Sequence, residues 1–384
     1  MIDFASLAPQ LTAFVTYRRG EDARQADRLC RALDALGGCA PDWEALAARA
    51  EAVSKGPLRA IPTSCPNGAF DAPPRPPTVT VVATDGSQIF PDRHVDPACY
   101  LLNVGRVALH YGTTQPPLVR AEPALRYRRE DLAALGSDDA EIAGDLSAEV
   151  VSALRDELEL SWLYRTAAEE RPSGRPIVAL ADGTLIRWML RGMKNRALED
   201  RLIDRFVAEL DRFQADGIPV ASYVSRPANA EVVNLLRLHL GEADWDEGPD
   251  SIRGVEDGEL FARCLEVGQR SALFRSRSSV LKRYGEHTVL AFYLRLEGEV
   301  GRVELPAWVA DQPGWVDLIH AVLLDQCDKG AGYPIILQEA HERAVVRAAE
   351  KEMFYGLLAR QVRAGGAPLP TYSGKAASKR APRV

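Results

Sequence analysis

The sequence lacks the features that mark membrane, secreted and zinc-binding proteins. No apolar run in its 384 residues reaches the length of about 18–20 residues that a transmembrane helix needs. The first residues do not show the basic and then apolar pattern of a signal peptide. The six cysteines are scattered and no two form a CxxC pair, which argues against a zinc ribbon or a disulfide scaffold. We therefore expect a cytoplasmic protein without a membrane contact.

The sequence also has no excess of positive charge, since its formal net charge is −7. This balance argues against a protein that coats nucleic acid, although it permits a local basic groove. One stretch is basic and contains no acid; its basic residues are Arg270, Arg275, Arg277, Lys282 and Arg283. The stretch is either a solvated surface or a set of DNA-binding residues that follows the phosphate backbone.

Proline content and apolar spacing divide the chain into segments. Residues 1–60 carry apolar side chains at helical spacing, which predicts a helical N-terminal segment. Six prolines in residues 61–77 predict an extended linker, because proline fits neither a helix interior nor a central strand. Residues 78–355 hold the strand and helix patterns of the main domain. The basic, small-residue-rich residues 374–384 predict a disordered tail.

Two apolar runs end in Asp-Gly followed by Ser or Thr. They are Val79–Ser87 and Pro176–Leu185, and they place Asp85 and Asp182 where buried strands are predicted to stop. A single Asp before Gly is most often a turn residue. Two carboxylates at the ends of neighbouring parallel strands instead lie at one edge of a sheet, where they predict a divalent-metal site.

The order of the predicted elements indicates an α/β fold with a mixed sheet. Strand patterns at Thr78–Thr84, Tyr100–Val104 and Arg106–Tyr111, the last two joined by a tight turn at Gly105, predict a meander. Helices then alternate with strands. The resulting order, β-β-β-α-β-α-β-α, resembles the ribonuclease H-like fold. In that fold the catalytic carboxylates come from the first strand, the first helix and the fourth strand, and Asp85, Glu159 and Asp182 occupy those places.

Seven sequence pieces resemble the NurA nuclease family, between about residues 78 and 353. In chain order they are DGS at Asp85–Ser87, LRDELEL at Leu154–Leu160, DGTL at Asp182–Leu185, RSALFRSRS at Arg270–Ser278, FYLRL at Phe292–Leu296, RVELPAW at Arg302–Trp308 and GYPIILQEAH at Gly332–His341. One Asp-Gly-Ser is a weak signal, but seven pieces in order are specific. The N-terminal residues match no family that we can name.

The resemblance implies a DNA nuclease that uses Mn²⁺ or Mg²⁺, with two ions at each site. It implies a ribonuclease H-like core, to which the sequence patterns add a helical N-terminal extension and C-terminal α+β additions. It also implies a homodimer that works with a HerA-type hexameric ATPase, a DNA translocase, in DNA end resection for repair or in defence. Exonuclease and single-strand endonuclease action are both compatible with it.

The resemblance also assigns the site residues. It implies that the metal ligands are Asp85, Glu159, Asp182 and His341. The catalytic residues are these four and Tyr333. Glu157 is an alternative to Glu159. Residues two apart on a helix point to different sides, so only one of these two glutamates can reach the site.

Three other interpretations stay open at this stage. The cluster Asp92, His94 and Asp96 is read as a solvated loop rather than a second site. Two alternative functions are a docking or scaffold subunit of the ATPase complex and a nuclease for RNA–DNA hybrids.

Overall fold

The computed structural model describes residues 3–90, 99–128, 148–191, 196–242 and 251–366. The loop with Asp92, His94 and Asp96, and the predicted tail 374–384, lie outside these residues. None of the helices in the described ranges has the length and apolar character needed to cross a bilayer.

The described residues form strands and α-helices in the following chain order. The strands are β1 Ile61–Pro62, β2 Ala69–Phe70, β3 Val79–Ile89, β4 Tyr100–Tyr111, β5 Leu118–Arg126, β6 Ile177–Asp182, β7 Val220–Val224, β8 Arg270–Ser271, β9 Phe274–Arg275, β10 Val289–Arg295 and β11 Val300–Pro306. The helices are α1 Phe4–Cys39, α2 Trp43–Ala52, α3 Ala148–Glu170, α4 Arg196–Ala215, α5 Glu231–His239, α6 Asp257–Cys264, α7 Ala307–Ala310, α8 Trp315–Lys329, α9 Ile335–Ala344 and α10 Ala348–Ala364.

The chain folds into two compact units that differ from the predicted segments. The first unit consists of Met1–Pro74, Tyr223–Lys282 and Thr288–Leu324, and the second of Arg75–Ser222, Arg283–His287 and Asp325–Val384. The predicted N-terminal segment 1–60 is therefore part of a larger unit built with distant parts of the chain. The predicted linker 61–77 includes β1 and β2, so it is not simply a spacer.

The second unit contains a mixed sheet in the order β5-β4-β3-β6. β3, β4 and β5 are antiparallel neighbours, and β3 runs parallel to β6. From β3 to α5 the elements follow one another as β-β-β-α-β-α-β-α, so the predicted ribonuclease H-like order is confirmed. Two details of the prediction were wrong: Gly105 lies inside the single strand β4, and the third strand is β5.

Apolar side chains of strands and helices form the core of the second unit. Val81, Val82 and Ala83 on β3 are fully buried, as expected for a central strand that is covered on both faces. Helix α3 packs on β3, β4 and β6, and α9 packs on β3 and β4. Successive residues of a strand point to opposite faces, so these two helices can meet neighbouring residues of β3 from the two sides.

The first unit contains its own set of paired strands and its own core. β10 pairs with β11, β9 and β8, while β1 pairs with β9 and β2 with β8. Its core joins the C-terminal half of α1 to α2, α5, α6 and β10, with Leu36, Leu236 and Phe261 among the buried residues. The N-terminal half of α1 leaves Phe4 and Phe14 exposed.

Candidate active site

Asp85 and Asp182 lie side by side on two neighbouring parallel strands. Thr84 of β3 is in register with Ala181 of β6, and the next residue on each strand is the aspartate. Residues at the same level of parallel strands face the same side of the sheet. The sequence-based prediction that these carboxylates converge therefore agrees with the geometry. One expectation was wrong: β3 continues past Asp85 to Ile89 and does not end at the aspartate.

His341 and Tyr333 contact these two aspartates. His341 Nδ1 lies 2.7 Å from Asp85 Oδ2, and the Tyr333 hydroxyl donates a hydrogen bond to Asp182 Oδ1 at 2.9 Å. Burial raises the pKa of Asp182, and the Tyr333 hydrogen bond opposes that rise. Burial and the Asp182 carboxylate raise the pKa of Tyr333, so its hydroxyl stays protonated. The His341 side chain is 61% exposed and can therefore meet a substrate.

Gly105 allows the helix that carries His341 to reach this place. It lies directly opposite Asp85 in the β3–β4 register. A Cβ at Gly105 would lie within 3.0 Å of the carbonyl oxygen of Ala340 and of the backbone nitrogen of Ala344. The backbone of α9 therefore rests directly on β4, and this close approach requires glycine. Asn103 Nδ2 anchors the end of α9 by donating to the carbonyl oxygen of Ala344 at 2.8 Å.

Glu159 approaches from α3, on the other face of β3. The Thr84 hydroxyl donates to the backbone oxygen of Glu159 at 2.9 Å, which fixes α3 against the strand. Its carboxylate lies over Gly86, where an added Cβ would be within 3.0 Å of Glu159 Oε1. Burial, then the negative charges of Asp156 and Asp85, raise the pKa of Glu159 to about 8, against the opposing effect of Arg155.

Glu157, the alternative metal ligand, is engaged elsewhere. Both of its carboxylate oxygens accept hydrogen bonds from Arg205 Nη1, at 3.0 and 3.2 Å. Glu159 Oε1, in contrast, is buried and accepts no hydrogen bond. The geometry therefore favours Glu159 over Glu157 as the glutamate of the site.

Two arginines and an aspartate surround Glu159, and the sequence analysis did not single them out. Arg155 Nε lies 2.9 Å from Glu159 Oε1, and Arg155 also donates to Asp156 Oδ1 at 2.7 Å. Arg187 Nη1 donates to Asp156 Oδ2 at 3.2 Å. The sequence could have indicated the Arg155–Glu159 pair, because the two residues are four apart on a predicted helix and such residues lie next to each other.

Most cations of the predicted DNA-binding stretch form ion pairs or hydrogen bonds within the protein. Arg270 pairs with Asp317 and lies over the ring of Phe70, and Arg275 pairs with Glu51.

The remaining cations of that stretch show the same pattern. Arg277 donates to the backbone oxygens of Ala50 and Val53, and Arg283 pairs with Asp200 at 2.5 Å. Lys282 is exposed. The five residues are also divided between the two units. The partners of the four arginines come from distant segments of the chain. DNA binding by this stretch stays a prediction.

Comparison with known proteins identifies the family. The NurA domain matches residues 79–346, which include every site residue named above. The chain belongs to the NurA family. A NurA-family protein is a DNA nuclease, so the chain is a hydrolase of phosphodiester bonds.

Two solved structures are similar to this NurA chain. The NurA nuclease from Sulfolobus solfataricus is 18% identical, with 77% of this chain and 88% of that chain covered and a TM-score of 0.47. LC9-RNase H1, a type 1 RNase H with the type 2 active-site motif, is 15% identical, with 58% and 89% covered and a TM-score of 0.20. No curated protein matches the chain.

The donor groups of this NurA site suit a hard divalent cation. Among the described residues, no three His, Cys, Asp or Glu side chains form a ready-made metal shell. Mg²⁺ and Mn²⁺ do not require one, because such ions are held by one or two carboxylates and keep waters or substrate oxygens as further ligands. The buried, unbonded Oε1 of Glu159 is a free oxygen donor of the required kind. The residues therefore fit the metal that the family implies.

Proposed function

We propose that this nuclease is metal-dependent and that Asp85, Glu159 and Asp182 hold Mn²⁺ or Mg²⁺, with two ions at the site. His341 is a further candidate ligand. The observation that carries the proposal is that Asp85 and Asp182 lie at the same level of two neighbouring strands, while Glu159 lies over Gly86 with a buried oxygen that accepts no hydrogen bond. Divalent ions, when bound, would activate water and stabilise charge on the entering and leaving oxygens.

The protein's own residues contribute orientation and proton transfer. Asp85 holds the His341 imidazole through Nδ1, which leaves Nε2 of this exposed ring free to give a proton to the leaving oxygen. Tyr333 keeps its proton and fixes the Asp182 carboxylate, so that the rim of the site does not reorganise when DNA binds.

A cleavage assay tests the catalytic proposal. End-labelled single-stranded DNA, double-stranded DNA and an RNA–DNA hybrid are incubated with protein in Mn²⁺, Mg²⁺ or EDTA, beside Asp85→Asn and Asp182→Asn. We expect cleavage of DNA that requires metal and is lost in both variants. Cleavage in EDTA, or undiminished cleavage by the variants, would show that the site is assigned wrongly. Preferential cutting of the hybrid would favour the alternative substrate.

We also propose that the protein is a homodimer in the cytoplasm and acts on DNA ends together with a HerA-type hexameric ATPase. The family relationship supports this proposal. The N-terminal half of α1 provides a candidate contact, because Phe4, Leu11 and Phe14 are exposed there.

A variant of the helix tests the partnership separately from the chemistry. Replacing Phe4, Leu11 and Phe14 with serine is expected to abolish co-elution with the ATPase while cleavage of DNA persists. Persistent co-elution would place the contact elsewhere. Sedimentation of the wild-type protein measures whether it is a dimer.

A further inference from the structure

A positive charge is built into the site beside the Glu159 oxygen that accepts no hydrogen bond. Arg155 Nε lies 2.9 Å from Glu159 Oε1. The guanidinium is held in place by its two terminal nitrogens, since Nη1 donates to Gln88 Oε1 at 3.0 Å and Nη2 donates to Asp156 Oδ1 at 2.7 Å. Arg155 is thus fixed by its other partners and not by Glu159.

The contact between Arg155 and Glu159 is an ion pair without a hydrogen bond. Arg155 Nε and Glu159 Oε1 are both buried, and neither makes a hydrogen bond although they lie 2.9 Å apart. The N–H group therefore does not point at the oxygen. Arg155 supplies charge to Glu159 but leaves the lone pairs of Oε1 unused.

The surrounding charges show why such a cation is needed. Asp85, Asp156 and Glu159 are close enough for the two aspartates to act on Glu159, while Arg187 compensates Asp156 from the other side. Like charges in a partly buried site repel strongly because water screens them poorly. Without a cation, the acids would oppose the fold that brings them together.

We propose that Arg155 is a positioning residue that serves as the resident counter-ion of Glu159, holding the acidic site together in the metal-free protein and competing with the divalent cation once it arrives. This inference rests on the proposed function. According to this proposal, Arg155 raises the stability of the metal-free protein but lowers its affinity for the metal ion. A residue that merely stabilises the structure would affect both in the same direction.

The test replaces Arg155 with methionine in the full-length protein. Unfolding is followed in EDTA and Mn²⁺ binding is measured by titration calorimetry, both at about pH 8.5. We expect the midpoint of unfolding in EDTA to fall by about 3 °C and Mn²⁺ to bind about tenfold more tightly. Arg165→Met is the matched control, because Arg165 is on the same helix over Trp162. It should leave Mn²⁺ affinity unchanged.

Weaker or unchanged Mn²⁺ binding by Arg155→Met would overturn the proposal. If that variant does not fold, Arg155→Lys replaces it, and retention of wild-type affinity with the charge preserved supports the counter-ion role. A large loss of Mn²⁺ affinity in the lysine variant overturns it. Glu159→Gln separates this proposal from the proposed function, since equal Mn²⁺ binding by wild type and Glu159→Gln would refute the metal site itself.

Discussion

Two acids with buried carboxylate oxygens, one in each unit, show how differently the protein treats a carboxylate. In the first unit, Asp257 accepts hydrogen bonds from the backbone N–H groups of Val232 and Val233, from Asn229 and from the Tyr293 hydroxyl. In the second unit, Glu159 Oε1 is buried but accepts none. Burying a carboxylate is costly unless its oxygens are satisfied. Asp257 is therefore a structural acid that fixes the start of α5, whereas Glu159 keeps an oxygen for a ligand.

The largest effect that this comparison predicts is on catalysis. Glu159→Gln removes the charge of the candidate ligand and keeps its shape, so cleavage should fall at least a hundredfold, about 3 kcal/mol of barrier. The measurement is single-turnover cleavage of labelled DNA in Mn²⁺. Glu157→Gln is the matched control. It makes the same change of side chain at a glutamate two residues away, which pairs with Arg205. Equal losses in both variants would contradict the distinction between the two glutamates.

The structural acid should show the reverse pattern. Asp257→Asn leaves one acceptor oxygen where several donors converge, so we expect the free energy of unfolding to fall by about 2–3 kcal/mol. Cleavage per folded molecule should stay at the wild-type level. Denaturant unfolding and an assay normalised to the folded fraction check this expectation. Loss of cleavage at full folding would mean that Asp257 also serves the reaction.

Gly86→Ala sharpens the comparison by disturbing the position of Glu159 without removing it. The new Cβ would lie within 3.0 Å of Glu159 Oε1 and would force the carboxylate to move. We expect cleavage to fall about tenfold or more, and Mn²⁺ affinity to fall with it, because a ligand displaced by about 1 Å binds poorly. Wild-type affinity in the folded variant would show that the approach of Glu159 to Gly86 is not needed.

A smaller effect is expected from pH. Burial raises the pKa of Glu159 from 4.5 to about 8, with Asp156 and Asp85 adding to the rise and Arg155 and Arg187 opposing it. The folded protein holds this proton at higher pH than the unfolded chain, so Glu159 lowers stability as the pH rises from about 4.5 to 8.

Mn²⁺ affinity should depend on the same Glu159 proton, but it should rise with pH whereas stability falls. A cation must displace this proton below about pH 8, so Mn²⁺ affinity should increase with pH, by at most about tenfold per unit. Calorimetry between about pH 6 and 8 measures this slope, and Glu159→Gln should flatten it. For Asp257, whose pKa is raised to about 6 mainly by burial, no effect on the metal is expected.

The parts of the molecule that sequence reasoning predicted well depend on local patterns. The apolar runs before Asp85 and Asp182 predicted two core strands, and the structure places them as parallel neighbours. The order of elements also followed from strand and helix periodicity. The contacts of His341 and Tyr333 were outside the reach of those patterns, and only the family resemblance singled these residues out.

The features that were missed or wrong depend on partners far away in the chain. The partners of the basic stretch were missed, because Arg275 pairs with Glu51, more than two hundred residues away, and no local pattern shows that pairing. Gly105 was read as a turn, whereas its role is to admit the backbone of α9. Arg155 had a visible partner at helical spacing, but the sequence does not show that Glu159 Oε1 is buried.

Titration of Mn²⁺ into metal-free wild type, Glu159→Gln and Asp257→Asn tests the central claim most directly. Our account predicts that Glu159→Gln loses Mn²⁺ affinity by at least about tenfold, whereas folded Asp257→Asn binds Mn²⁺ like the wild type. If Glu159→Gln bound Mn²⁺ as tightly as the wild type, the unbonded oxygen of Glu159 would not be a metal ligand, and the distinction between the two acids would fail.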